Sequence, residues 1–483
     1  MVLTNKNKNA IWYSFVLLSA IIAFVPIVLC IFRNLYNHDS VYYLLMVERI
    51  AEGQKLYTDV ACGYTPLWFY MMAFIKKIFN VSYGNYEFYL AINFVMQITA
   101  ALFIYKICRL FEFNKYVSYF VSWWFVMQTH FMEGNIILLE MPSMMFGLAA
   151  IYISLAFKDN NHLRLYIIVG IVASCSFLSK QFGLGYVVLC IFLIVVLMEN
   201  KPRRIAYVLV GFMMPCVLCQ IIWPDEFLNI VFSRYGTESA SAAGYDSNFS
   251  TKIMNVLQGT WDMVFKRYAC IVPVSFVFIP LIIKQEKGMK YLFCLCGVFG
   301  FMLQFYFTVG VHYLLHVMPF VAILIALLLS LDCDKIIRVV MSIPITIMVL
   351  YSIYGTYNNR VRKIYYGNQK EEQIKVAKAV KEIVPEGKTI WIVHGGLIPV
   401  YYNANILPPN LSTIGYSFAP LGINEEEAFM QAKSADYVLS YVYDYEYEST
   451  YYTPRLKDYV WEHEVEYIKG GIALHDMSKS LKE

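Results

Sequence analysis

Apolar segments that approach the length of a bilayer span recur along the whole chain, and they constrain its fold more than any other feature. They lie at roughly 11–32, 86–108, 116–128, 136–157, 165–178, 182–198, 205–223, 268–283, 291–309, 314–331 and 336–354. Charged residues make up only 15% of the chain, and hydrophobic residues 59%. Soluble proteins carry about 25% charged residues. The sequence therefore predicts a polytopic α-helical membrane protein with about 11 spans.

The distribution of Lys and Arg predicts the orientation of these spans. If Lys6 and Lys8 are cytoplasmic, the same side also holds the basic residues near 109–115, 158–164, 201–204, 284–290 and 335–338. The short loops on the opposite side, near 130–135 and 308–312, contain no Lys or Arg. Because cytoplasmic loops are enriched in basic residues, this alternation predicts a multi-pass protein of the plasma (inner) membrane with a cytoplasmic N-terminus. An odd number of spans then places the C-terminal tail outside.

The tail after residue 357 has a different pattern and predicts a small α/β domain. An amphipathic helix is expected at 369–384, strands at 389–393 and 436–440, and a hairpin formed by 465–469 and 472–475. The predicted domains are a transmembrane region, 1–356, with outer loops 34–83 and 224–267, and an extracytoplasmic α/β domain, 357–483. The tail tyrosines, such as Tyr441 and Tyr443, fit either a carbohydrate-binding surface or ordinary packing.

Several function classes have no support in the sequence. It contains no G-x-S-x-G, HExxH, Walker or dinucleotide-binding motif, which argues against soluble-type hydrolase or nucleotide chemistry. No basic tract interleaved with aromatics suggests a nucleic-acid partner. The candidates for catalysis and substrate binding are therefore the polar residues at the predicted outer ends of the spans.

Asp39 stands just past the first span and directly before a helix-like segment. One interpretation is an N-cap, a position that favours Asp. The other, compatible with the first, is a carboxylate at the lipid–water boundary that orients or deprotonates an incoming hydroxyl.

Glu140 lies inside an apolar pattern, where a carboxylate is costly and usually faces a cavity. It is therefore a second candidate for acid–base chemistry. Glu133, in the preceding loop, is the weaker candidate, because an exposed loop Glu is usually only solvated. Pro142 fits the first turn of a helix that begins near Glu140.

Lys180 occupies a tight turn on the predicted outer side, against the general charge distribution. One interpretation is that this cation binds an anion such as a phosphate. The other is that the lysine only extends its ammonium to the membrane–water interface. Arg234, His312 and His316 could contribute to the same site. The two histidines are four residues apart, so a helix would place them on one face, a zinc-compatible spacing; hydrogen-bonded interfacial histidines are the alternative.

The first outer loop also carries a family resemblance. Asp39 is followed by an interfacial helix, then Glu-Gly-Gln-Lys-Leu-Tyr-Thr-Asp at 52–59 and Tyr-Thr-Pro-Leu at 64–67. This order resembles the opening of polyprenyl-phosphate-sugar-dependent glycosyltransferases of the GT-C fold, including the branch with protein O-mannosyltransferases and lipid A aminoarabinose transferase. Glu-Met-Pro at 140–142 and the segment 312–319 resemble later parts of the same family. The chain differs from the family pattern at Ser40, Thr65 and His312, where Glu, Pro and Arg are frequent.

The resemblance implies an inverting membrane glycosyltransferase that acts at the outer face on a polyprenyl-phosphate-linked sugar. Asp39 and Glu140 would be catalytic. The implied substrate-binding residues are Tyr64, Lys180, Arg234, His312 and His316. The acceptor could be a glycan, a lipid or a protein, and the residues leave open whether a divalent metal takes part.

Two other functions remain as alternatives. One is a polysaccharide polymerase or ligase, and the other is a transporter of lipid-linked sugars. Transporters usually show internal repeats or broken helices at matched positions. The sequence shows neither, and the predicted outer domain together with the early Asp39 loop favours the GT-C family.

Overall fold

The structure is a computed structural model, and it describes residues 5–33, 36–60, 62–159, 162–229, 249–262, 265, 269–306, 310–366, 369–393, 395–406, 408, 425–442, 454–468 and 471–481.

Every predicted apolar segment corresponds to helical structure. The helices are Asn5–Arg33, Tyr86–Leu110, Lys115–Phe131, Glu140–Ala156, Leu165–Ser179, Leu184–Leu197, Lys201–Ile222, Ile271–Lys284 (with a 3₁₀ turn at Phe276–Phe278), Gly288–Met302, Met318–Leu329 and Lys335–Tyr354. Within the described ranges, 5 helical stretches are long and apolar enough to cross a membrane, and shorter apolar helices accompany them. The number of spans and their orientation stay predictions.

Shorter elements connect these helices. The first outer loop forms the interfacial helix expected at Asp39, His38–Ala51, and a second helix, Leu67–Phe79. The remaining elements are Gln181–Gly183, Phe227–Asn229, Phe249–Gly259, Leu303–Tyr306, Val311–His316, the π-helical segment Gly355–Val361 and Arg362–Tyr366.

Two glycines allow the helices Leu165–Ser179 and Lys201–Ile222 to approach closely. A Cβ atom on Gly170 would lie 2.1 Å from the carbonyl oxygen of Val208, and one on Gly211 would lie 2.1 Å from that of Ile167. Small residues permit such backbone contact between membrane helices. This packing fixes the helix that ends immediately before Lys180.

The tail contains the predicted combination of helices and a small sheet. Its strands are β1 (Ile390–Ile392), β2 (Tyr437–Tyr441), β3 (His463–Ile468) and β4 (Ile472–Ser480), in the sheet order β1-β2-β4-β3. β1 and β2 are parallel, and the other pairs are antiparallel. The helices are Gln369–Ile383, Pro399–Ala404, Glu425–Ser434 and Pro454–Trp461, with a 3₁₀ turn at Gly395–Leu397. The predicted helix, strands and hairpin are confirmed.

The edge of this sheet contains a charged network around Asp436. Asp436 accepts hydrogen bonds from Lys388 Nζ at 2.8 Å and from the backbone N–H and hydroxyl of Thr389 at 2.8 and 2.9 Å. Partial burial opposes ionisation of Asp436, but these hydrogen bonds outweigh it and hold the pKa of the carboxyl below its usual value.

We expect this network to make the tail sensitive to acid. A carboxyl with a lower pKa in the folded state stabilises the fold above its unfolded pKa of about 3.9 and loses that contribution as the pH falls through the folded pKa. Hydrogen exchange of β1 and β2, corrected for intrinsic rates, should therefore accelerate below about pH 4. Asp436→Asn should accelerate exchange at pH 7 and reduce the additional effect of acid. Glu386→Gln, at an exposed acid nearby, is the control; an Asp436→Asn profile equal to that of the control would contradict the prediction.

The chain divides into two compact units. The first comprises Met1–Asn34, Leu90–Leu218 and Ile253–Gly367, and the second comprises Leu35–Tyr89, Cys219–Lys252 and Asn368–Glu483. The first outer loop therefore groups with the α/β tail. The division into a transmembrane domain, 1–356, and an outer domain, 357–483, stays a prediction.

Candidate functional site

In the first unit, Glu140 and Lys180 form a buried ion pair. Glu140 begins the helix Glu140–Ala156, and Lys180 follows the last residue of the helix Leu165–Ser179. Lys180 Nζ donates a hydrogen bond to Glu140 Oε1, and the side chains are 2% and 0% exposed. Because the desolvation of a charge is expensive, each of the two ions requires the other. The two residues predicted to carry chemistry in this region are therefore direct partners.

The backbone around Lys180 explains how a lysine reaches this position. The chain leaves the helix at Lys180 in an extended conformation, with φ −158° and ψ 139°, and then forms the 3₁₀ turn Gln181–Gly183. A Cβ atom on Gly183 would lie 2.3 Å from the carbonyl carbon of Ser176, so the turn needs glycine there. The Lys180 ammonium lies 5.0 Å from the centroid of the Tyr313 ring, a cation–π contact that further stabilises the buried charge.

His312 connects this pair to Glu133. Its Nδ1 is 3.2 Å from Glu133 Oε2, and its Nε2 is 4.0 Å from Glu140 Oε1. The hydrogen bond to His312 lowers the pKa of Glu133; partial burial opposes this change and the charge of Arg360 supports it. The expectation that Glu133 is only a solvated loop residue is wrong, because tertiary packing brings His312 to it.

The backbone of Glu133 is also unusual. Its φ of 67° lies in the left-handed region, which is sparsely populated by residues other than glycine. A Cβ atom on the next residue, Gly134, would lie 2.6 Å from the carbonyl oxygen of Thr129. Strained backbone of this kind clusters at functional sites and supports the inclusion of this loop in the site.

Arg360 is a further member of this cluster and was not predicted from the sequence. Its guanidinium is 3.9 Å from Glu133 Oε1 and donates a hydrogen bond to the carbonyl of Phe131 at 3.3 Å. It lies in the π-helical segment Gly355–Val361, a conformation often found at functional sites. A signal was present in the sequence, because Arg360 falls at the predicted outer end of the last span, against the positive-inside trend.

His312 and His316 do not share a helix face. Both lie in the 3₁₀ helix Val311–His316, where residues four apart are separated by about 120° because each turn has three residues. His316 is fully buried, its Nδ1 is 3.3 Å from Tyr186 Oη, and its ring stacks on Phe301 with a centroid distance of 5.1 Å. The expectation that their spacing places both histidines on one helix face is therefore wrong. Among the described residues, no group of three or more His, Cys, Asp or Glu side chains is arranged to hold a metal ion.

Two buried polar atoms of this charged cluster have no hydrogen-bond partner in the described part of the chain. They are Oε2 of Glu140 and Nε2 of His316. Burying such atoms unpaired costs free energy, and native proteins usually pair them with protein, water or ligand. The cluster therefore has unused capacity to accept and donate hydrogen bonds beside Lys180.

Asp39 lies in the second unit, and it is not the N-cap of its helix. Asn37 takes that role: its side-chain oxygen accepts hydrogen bonds from the backbone N–H groups of Asp39, at 2.9 Å, and Ser40, at 3.4 Å. Asp39 is therefore in the first turn, where the helix dipole favours a negative charge. Its side chain is half-buried. The capping interpretation is corrected, and the position of Asp39 at a helix start is confirmed.

Tyr64 packs against the same helix. Its ring lies edge-on to Tyr43, with centroids 5.4 Å apart and an interplanar angle of 87°, and its carbonyl accepts a 2.6 Å hydrogen bond from Tyr57 Oη. A 2.9 Å ion pair between Lys76 and Glu48 joins the two helices of the loop. Tyr64 is therefore held on the helix that carries Asp39. Its predicted role in substrate binding stays a prediction.

Arg234 lies outside the described residues, as does most of the second predicted outer loop. The structure therefore brings together Glu140, Lys180 and His312, with His316 adjacent and Glu133 and Arg360 added. Asp39 and Tyr64 belong to the other unit.

Comparison with known proteins gives matches in structure. No family model and no curated protein sequence matches the chain. The solved structures of ArnT from Cupriavidus metallidurans, in the apo state and bound to undecaprenyl phosphate, are similar to it with a TM-score of 0.58 at 12% and 13% identity. The alignments cover 96% of this chain and 98% of ArnT.

A second match is the archaeal oligosaccharyltransferase AglB from Archaeoglobus fulgidus, in complex with an inhibitory peptide and a dolichol-phosphate. Its TM-score is 0.52 at 13% identity, and the alignment covers 95% of this chain and 74% of AglB. ArnT, a lipid A aminoarabinose transferase, and AglB both have the GT-C fold. The resemblance predicted from the sequence is thus confirmed at the level of architecture: this chain has the GT-C fold.

Proposed function

We propose that this protein is an integral membrane glycosyltransferase that transfers a sugar from a polyprenyl-phosphate donor to an acceptor at the outer face of the membrane. The observation that carries the proposal is the match to ArnT over almost the full length of both chains, one of whose structures contains undecaprenyl phosphate. The buried ionic cluster and the carboxylate at the start of the first-loop helix supply groups suited to that chemistry.

The reaction would be a single in-line displacement. A hydroxyl oxygen of the acceptor forms a bond to the anomeric carbon, the bond from that carbon to the phosphate oxygen breaks, and the lipid phosphate leaves with the electron pair. Asp39 would orient the acceptor hydroxyl and take its proton, as a general base does. One displacement inverts the anomeric configuration.

The leaving phosphate needs positive charge nearby, because negative charge develops on it in the transition state. Lys180 and His312 are the candidates in the first unit, and both contact carboxylates in the present structure. We propose that a bound phosphate competes with Glu140 for Lys180. Glu140 Oε2 and His316 Nε2, which are buried and without partners among the described residues, would then bind hydroxyl groups of the donor sugar.

The proposal is tested with purified protein reconstituted in lipid and a panel of radiolabelled polyprenyl-phosphate sugars. We expect at least one donor to lose its sugar to an acceptor, with release of the lipid phosphate. The same vesicles report on transport if the donor is first confined to one leaflet. Movement of the donor across the bilayer without release of lipid phosphate would contradict the enzyme and favour a transporter.

A polysaccharide polymerase would also release lipid carrier, so the products need to be sized. Single-sugar addition supports the proposed transferase. A ladder of chain lengths grown from one lipid carrier would support the polymerase instead. If no donor on the panel is turned over or moved, the proposed function is overturned for those sugars.

A further inference from the structure

The segment that precedes Asp39 is held by a glutamine from the tail. The backbone N–H of Tyr36 donates a 2.9 Å hydrogen bond to Gln373 Oε1, and Gln373 Nε2 donates a 3.0 Å hydrogen bond to the carbonyl of Tyr36. Gln373 lies on the helix Gln369–Ile383. Tyr36 is outside any helix or strand and only 5% exposed, so its backbone groups need such partners. The side chain of Gln373 thus provides hydrogen-bond partners for both backbone groups of Tyr36.

The side chain of Tyr36 is fixed as well. Its hydroxyl donates a 3.4 Å hydrogen bond to Glu87 Oε1, and its ring packs on Tyr86 with centroids 4.6 Å apart. Lys370, one turn before Gln373, forms an ion pair with Glu87 and lies 5.3 Å from the centroid of the Tyr36 ring. Burial, supported by the charge of Glu87, raises the pKa of Tyr36, so the phenol stays protonated and remains a donor.

The immobilised residue is directly linked to the start of the Asp39 helix. Asn37, the next residue, caps that helix through the N–H of Asp39 and accepts a 2.9 Å hydrogen bond from Val41 N at its carbonyl. Only the short link from Tyr36 to Asn37 separates the Gln373 contacts from the first helical turn. The cap at Asn37 thus connects Tyr36 to the helical turn that carries Asp39.

We propose that Gln373 is a positioning residue that sets the place of Asp39 by clamping the Tyr36 backbone, an inference that rests on the proposed role of Asp39. Because Gln373 lies on the helix Gln369–Ile383, this role would give the α/β tail a direct part in the reaction. The proposal predicts an effect on the chemical step and little effect on donor binding. A misplacement of about 1 Å in a reacting group costs roughly 100-fold in rate.

The test compares Gln373→Ala, Gln373→Glu and a control in the reconstituted full chain. We expect Gln373→Ala to lower kcat by roughly 10- to 100-fold, with the KM for the donor within about twofold of the parent because the donor site is untouched. Gln373→Glu keeps the acceptor for Tyr36 N–H but loses the donor to its carbonyl, so its kcat should be intermediate. Lys375→Ala, an exposed neighbour whose partner Glu372 lies on the same helix, should match the parent.

Hydrogen exchange of the peptide covering 36–51 provides a readout that does not need turnover. Gln373→Ala should accelerate exchange there and leave β1 and β2 unchanged, which separates loss of the clamp from unfolding of the tail. Unchanged exchange, or a kcat equal to that of Lys375→Ala, would overturn the proposal. If the parent turns over no donor, the glycosyltransferase function fails, while faster exchange in Gln373→Ala would still support the clamp.

Discussion

Lys180→Met is expected to lower the free energy of unfolding by about 3 to 5 kcal/mol, because it leaves the Glu140 carboxylate buried without its main partner. Glu140→Gln should also be strongly destabilising, since it leaves the Lys180 ammonium in the same position. Reversible denaturation in mixed micelles measures both values. Lys201→Met, at an exposed lysine, is the control and should change stability by no more than about 0.5 kcal/mol.

The double variant Lys180→Met/Glu140→Leu separates stability from function. Replacing both members of a buried ion pair with apolar residues is often close to neutral, so most of the lost stability should return. Sugar transfer should stay absent, because the cation proposed to bind the phosphate is gone. A double variant that is stable and fully active would contradict the proposed role of Lys180. A single Lys180→Met variant as stable as the control would contradict the energetic account of the pair.

Asp39→Asn is expected to reduce sugar transfer by roughly 100- to 10,000-fold, the usual contribution of a general base. The side chains have nearly the same shape, but the amide cannot take a proton from the acceptor. The loss of the favourable interaction between the negative charge and the helix dipole should contribute about 0.3 to 1 kcal/mol to any cost in stability. The measurement is turnover of the donor that the parent uses, together with binding of the lipid donor, which should persist.

Asp59→Asn is a matched control in the same loop. Asp59 is exposed, and its Oδ2 accepts a 2.8 Å hydrogen bond from the backbone of Lys55, so its carboxylate has a local structural partner. We expect this variant to retain transfer activity. If Asp39→Asn is as active as Asp59→Asn, Asp39 loses its proposed role, and Glu140 becomes the remaining carboxylate candidate for the base.

The candidate site could be predicted only in part, and the reason differs from residue to residue. A buried Glu140 and an outward Lys180 were recognisable because charges are expensive in an apolar pattern. Glu133 lies in a loop, where polar residues are ordinary. Arg360 departs from the positive-inside trend, but that departure does not indicate which residue the guanidinium contacts. Their contribution depends on His312 and on the loop 132–139, which meet only when distant helices pack. The expectation that His312 and His316 share a helix face failed for a local reason, because spacing alone does not distinguish a 3₁₀ helix from an α-helix.

The sequence by itself determined the apolar helices, the helical first loop, the strands of the tail and the resemblance to the GT-C fold. The helices and strands follow from the periodicity and composition of neighbouring residues, which act locally, whereas the resemblance rests on the order and spacing of motifs such as those of the first loop. Only the tertiary structure decided that Lys180 pairs with Glu140, that Asn37 rather than Asp39 caps its helix, and that Gln373 clamps Tyr36. These contacts join residues 40 and 337 positions apart in the first and last cases. They are selected by the pairing of buried polar groups, a requirement that becomes specific only once the chain has packed.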